Sequence, residues 1–177
     1  MSLRLYTYAV MIGVFSLSAL AAAQPPFPDI HTQSAHVHGV AHLAVAVEGN
    51  TLVIELEVPL ENLIGFERKP TRSWEMGIVS RASKKLDQPS LLFKFSDDAD
   101  CSVTSAQAKM PFLEDNGHRE ADARYQFICK SIDRLQSIEM TIFKTFSHIE
   151  TIKMIYIDDE RQLAKTLTHD QPVFSLH

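Results

Sequence analysis

Glycine is scarce in this chain, six among 177 residues, too few to suggest a glycine-rich loop that cradles phosphate. The patterns G-x-S-x-G and H-E-x-x-H are missing, as is any paired-aspartate motif. No enzyme is expected from this. Basic residues are outnumbered, 17 against 22 acidic ones, and the formal net charge is −5 with histidines neutral. Without a basic run, nucleic acid and anionic lipid are poor partners. There is no internal repeat, heptad array or low-complexity tract. Beyond the N-terminal stretch no segment is apolar enough to cross a bilayer. Cysteine is limited to Cys101 and Cys129, a separation far from the C-x-x-C of thiolate zinc sites.

What is present begins with an address. Arg4 supplies a positive start, Ala9 to Leu20 an apolar run, and Ala21 and Ala23 the small residues before a cleavage point. Residues 1–23 are expected to be a signal peptide, with the mature chain starting at Gln24. The competing reading, an uncleaved anchor, has an apolar run that is short for a span. An exported chain meets oxidising surroundings, so the cysteine pair reads as a disulfide rather than a thiolate metal site. Closing so long a loop contributes roughly 3–4 kcal/mol in the chain-entropy model. Residues 24–34, QPPFPDIHTQS, are rich in proline and polar groups and read as a mobile lead-in that carries His31. Residues 35–177 then suit one domain with one core.

Parity predicts a β-hairpin from Ala35–Val47 and Thr51–Val58. A two-residue turn at Gly49-Asn50 sets Val47 against Leu52, Val45 against Ile54 and Leu43 against Leu56, with both apolar rows on one face. The same register puts His42 opposite Glu57 on the polar face, with His36 and His38 further out, unless a bulge at Gly39 breaks the phase. PLENLIG predicts a short helical turn ending at Gly65. In Thr71–Leu86, Trp74, Ile78, Val79, Ala82 and Leu86 recur at helical spacing, with Thr71 or Ser73 as cap. Strands are expected over Cys101–Met110, Ala123–Cys129, Ser137–Phe143, Thr151–Asp158 and Arg161–Thr168. The fold class is α+β, a mostly antiparallel sheet domain with one main helix and one disulfide.

The chemistry concentrates in HVHGVAH, His36 to His42. On a strand, side chains two residues apart share a face, so His36 and His38 can converge on one ion. Neutral imidazole suits Zn²⁺, Cu²⁺ and Ni²⁺, but two ligands do not complete a structural zinc site. The plain alternative is a pair of surface histidines. His42 has Glu57 as a cross-strand partner that can orient its ring or simply pair with it on the surface. His118, Glu120 and Asp122 form a second donor group, read more plainly as a solvated loop entering a strand. His148, His169 and His177 are scattered, and none is expected to be a ligand.

AHVHGVAHLAVAVEGNTLVIELEVPLENLIGFERKP resembles the opening signature of the ZrgA-like proteins, a zinc-regulated periplasmic family, with the pattern HxHGxAxLxVAxxGxxLxIxLexPxxNLxGFE. Tyr125-Gln126-Phe127-Ile128-Cys129 resembles the family's Y-x-F-x-C, and FKTFSHIETIKMIYIDDERQLAKTLT resembles its terminal L-F-x-x-F-P followed by a strand pair. The resemblance implies a periplasmic protein of Gram-negative bacteria that assists zinc acquisition. Two departures remove imidazoles. The family's long His/Asp-rich insert between the cysteine-bearing strands is reduced to AKMPFLEDNGHREAD with His118, and Arg68 stands where many members carry histidine. A high-capacity store is not expected. One site is, drawn from His36, His38, His118 and a carboxylate such as Asp122 or Glu67, with His42 in support. Delivery of Zn²⁺ to a periplasmic component of an uptake system follows as the expected role. The alternative is a metal-independent interaction module whose hairpin and open edges contact another periplasmic protein.

Overall fold

The structure, a computed structural model, describes residues 37–111 and 119–176. The expected leader and lead-in, together with His31, His36, His118 and His177, lie outside those residues.

The hairpin forms as parity requires. β1 (Val40–Glu48) pairs antiparallel with β2 (Thr51–Pro59), with Val45 opposite Ile54, Leu43 opposite Leu56 and His42 opposite Glu57. Gly49 supplies the positive φ, 53°, that the tight turn needs. The apolar row is buried, with Val45 and Ile54 fully enclosed. α1 (Leu60–Ile64) follows directly and stops at Gly65, whose φ of 80° closes the helix as its N–H donates to Glu61 O.

α2 (Ser73–Leu86) is the one long helix among the described residues. β3 (Lys94–Phe95), β4 (Cys101–Lys109), β5 (Glu120–Cys129) and β6 (Ser137–Glu139) come next. α3 (Ile142–Thr145), β7 (Thr151–Ile157), β8 (Gln162–Thr168) and β9 (Val173–Ser175) complete the chain. Six strands make the main sheet in the order β4-β5-β2-β1-β7-β8, and three make a second sheet, β3-β6-β9. The second sheet and α2 pack on the apolar face of the first. Phe95 stacks edge-on against Phe127, Phe174 lies 5.7 Å from Tyr156, and Tyr125 donates its buried hydroxyl to Leu86 O at 2.9 Å. The disulfide joins Cys101 and Cys129, directly opposed residues of β4 and β5. The α+β reading stands.

Three expectations are corrected. The strand expected over Ser137–Phe143 ends at Glu139, because Met140 N–H donates to Pro172 O and Ile142 N–H to Leu92 O, turning the chain into α3. β7 pairs parallel with β1, an exception in an otherwise antiparallel main sheet. Trp74 is 55 % exposed while Glu75 is fully buried, so α2 starts with a carboxylate turned inward where an indole was expected. The hairpin has no open edge: β2 is covered by β5 and β1 by β7, leaving β4 and β8 at the rims of the main sheet. The surface assumed for a hairpin-edge interaction module is therefore already used.

Candidate metal centre

His38 does not lie on a strand. It occupies a turn ahead of β1, closed by Val40 N–H donating to Val37 O at 3.1 Å. Gly39, the next residue, has φ of 80°, the left-handed region that side chains disfavour. Its surroundings explain why glycine is needed. Gly39 N–H donates to Asn62 Oδ1 at 2.8 Å, and Asn62 Nδ2 donates to Val40 O at 3.1 Å. On the other side, Gly39 O accepts from Glu150 N at 2.8 Å and Thr151 N at 2.9 Å. A Cβ on Gly39 would stand 3.1 Å from the Glu150 carboxyl group. The turn is thus pinned between α1 and the start of β7. Asn62 is 2 % exposed and is one of two buried polar residues among those described. A buried amide that meets a backbone donor and a backbone acceptor satisfies both of its polar ends.

Two carboxylates meet the His38 ring. Glu61 is carried outward by α1, because Leu60, Leu63 and Ile64 take the buried side of that short helix. Glu67 sits in the connection to α2, one residue after Phe66, whose ring packs against the core. His38 Nε2 lies 2.9 Å from Glu61 Oε2 and 3.4 Å from Glu67 Oε1. One donor atom from each of the three residues falls within 4.8 Å of the others. Zinc holds imidazole nitrogen and carboxylate oxygen at about 2.0–2.2 Å, so neighbouring donors on a tetrahedral ion stand about 3.3–3.6 Å apart. The His38–Glu67 distance already falls in that range, and the His38–Glu61 hydrogen bond needs to open by only about half an ångström. The set is one nitrogen and two oxygens, which zinc accepts and which leaves a fourth position to water or an incoming ligand. The side chains are 59 %, 41 % and 27 % exposed for His38, Glu61 and Glu67, so the group opens to solvent.

Of the expected ligands, His38 and Glu67 come together. His36 and His118 lie outside the described residues. His42 and Asp122 do not join the group. They flank Glu57 in one cross-strand row on the polar face of the main sheet, His42 from β1 and Asp122 from β5. Burial pushes the His42 imidazole below its ordinary pKa, Lys153 pushes the same way, and Glu120 opposes them. Among the described residues no other trio of metal donors converges this closely. His169 ring nitrogen is bonded to Ile149 O at 2.8 Å and its ring packs on Phe143, a structural role. Exposed His148 sits near the end of α1, its Cε1 3.7 Å from where a Cβ on Gly65 would be.

Glu61 escaped the sequence reading. The signal was in PLENLIG: an acidic residue beside a polar Asn62, inside a helical turn whose other positions are apolar. In such a turn Asn62 must find buried partners, and Glu61 is left on the outer side.

A family model described as ZrgA family zinc uptake protein matches residues 35–176. The chain belongs to that family. No curated protein matches it. The family's description names zinc uptake, and one imidazole with two carboxylates is a donor set that zinc accepts. In this ZrgA family member no helix among the described residues is long and apolar enough to cross a membrane.

Proposed function

We propose that this protein is a periplasmic zinc carrier, which holds one Zn²⁺ on His38, Glu61 and Glu67 and passes it to an uptake system. The observation that supports the reading is the approach of donor atoms from these three side chains to within 4.8 Å of one another, at the end of the main sheet where β1 begins. The role is exchange, not catalysis. Three protein donors with an open fourth position hold zinc while letting an incoming ligand attack it. Partial exposure of all three keeps that approach clear. The signal peptide expected at residues 1–23 supplies the address.

Calorimetric titration of zinc into the disulfide-bonded chain, stripped beforehand with chelator, tests the reading. One equivalent should bind, and His38→Ala, Glu61→Ala and Glu67→Ala should each weaken it. Because protons compete with zinc for its ligands, affinity should fall as the solution is acidified. Absence of stoichiometric binding, or binding indifferent to all three substitutions, would refute the proposal.

A further inference from the structure

Between α1 and α2 the chain has no regular secondary structure over residues 65–72, yet Glu67 must be held still if it is to serve as a donor. One carboxylate gathers this connection. Glu75 Oε2 accepts from Thr71 N at 2.8 Å, Arg72 N at 3.0 Å and Thr71 Oγ1 at 3.3 Å. The Arg68 guanidinium grips both of its oxygens, Nη1 on Oε2 at 3.2 Å and Nη2 on Oε1. Such a fork fixes direction as well as distance, which a lysine cannot do. The guanidinium also lies over the Phe66 ring, 5.2 Å from its centre. Glu67 is therefore bracketed, with a core-packed ring before it and a clamped guanidinium after it.

The Glu75 carboxylate is fully buried. Its hydrogen bonds from Arg68 and from Thr71 N–H keep its pKa far below the usual carboxylate range, so it remains charged and the clamp stays closed. The same side chain that satisfies the free N–H groups at the start of α2 thus secures the connection that carries Glu67.

We propose that Arg68 and Glu75, whose side chains grip each other and the backbone of Thr71 and Arg72, are positioning residues of the zinc site and act through Glu67. This rests on the proposed donor set. Groups that orient a metal ligand typically contribute about 10- to 100-fold in metal affinity, and a loss of that size is expected for Arg68→Gln and for Glu75→Gln. Arg68→Lys should restore little of it, since the fork is lost with the charge retained.

The test is a double-substitution cycle read by zinc calorimetry on the full chain, together with the visible absorption of bound Co²⁺ as a report on coordination. Glu67→Ala alone should weaken zinc binding. Added to Glu75→Gln, it should change affinity by no more than about twofold, because the donor has already been misplaced. The Co²⁺ spectra of Glu75→Gln and Glu67→Ala should then match each other and differ from the parent. If the two penalties multiply in full, or if Arg68→Gln binds zinc as the parent does, the positioning role is overturned while the donor set survives. If Glu67→Ala leaves affinity unchanged, the donor set itself fails at Glu67, and the positioning role fails with it. Should Glu75→Gln not fold, Arg68→Gln, at a side chain 57 % exposed, completes the cycle in its place.

Discussion

Asn62→Ala should separate the binding turn from the helix beneath it. The substitution removes two hydrogen bonds, from Gly39 N–H and to Val40 O. Each bond contributes about 0.5–1.5 kcal/mol net, and a buried donor left unpaired costs about 1–3 kcal/mol. Some of the Val40 carbonyl's loss is recoverable by water, so the expected destabilisation is about 2–4 kcal/mol. With a urea dependence of about 2 kcal/mol/M, the unfolding midpoint should drop by about 1–2 M. Zinc affinity should also fall. His38 would have to be re-ordered on binding, and fixing the backbone of one residue costs about 1–2 kcal/mol, or about 5- to 30-fold in affinity. Urea unfolding followed by circular dichroism and zinc calorimetry on the same preparation give the two numbers. A midpoint shift below about 0.3 M would refute the assigned hydrogen bonding. A full stability loss with unchanged zinc affinity would refute the claim that this turn carries the donor.

Other outcomes are expected. Gly39→Ala should lower the melting temperature more than Gly49→Ala does: both residues have positive φ, but only at Gly39 does a new Cβ approach another side chain, that of Glu150. Scanning calorimetry of the two variants decides it. Replacing Cys101 and Cys129 together by serine should cost about 3–4 kcal/mol of stability and leave zinc affinity intact, since the disulfide sits beside the hairpin turn at the opposite end of the sheet. Chemical unfolding and zinc titration of that variant check both halves. His42→Gln should leave zinc affinity unchanged. Because the folded His42 pKa is lowered, its neutral form contributes stability above about pH 6.5 that is lost as pH falls through the folded value. The variant's stability should therefore fall less than the parent's between pH 7 and the acid range, as measured by urea midpoints.

Alternation was enough to place the hairpin, because one face of each strand is buried and a slip of one residue would expose the whole apolar row. The helix from Ser73 was legible from spacing, but its orientation was not. Trp74 looked like core, and burial instead went to Glu75, whose carboxylate answers three local donors and a guanidinium that no periodicity reveals. β9 and the break after Glu139 depend on contacts with Pro172 and Leu92, far along the chain, so local pattern carried no trace of them. At the site, the histidine motif was visible and its geometry was not. Strand spacing suggested a face shared with His36, whereas the positive φ at Gly39 places His38 in a turn. Glu61 comes to it from α1, at the position that the hairpin register, with His42 opposite Glu57, extends to His38, although strand pairing itself has ended there.

The parallel pairing of β1 with β7 has a consequence for the order in which the molecule becomes competent. The hairpin closes locally and can form once Pro59 has been made. Gly39 O, however, waits for the N–H groups of Glu150 and Thr151, more than a hundred residues later in the chain. Until that late segment arrives, the turn is held from one side only. A nascent chain carries His38, Glu61 and Glu67 within thirty residues of each other, but sequence proximity alone does not fix their donors at chelating distances. The finished geometry appears only when nearly the whole domain has been assembled around it. With the proposed donor set, metal capture would report on completed folding, and a chain truncated before β7 should bind zinc more weakly than the whole domain.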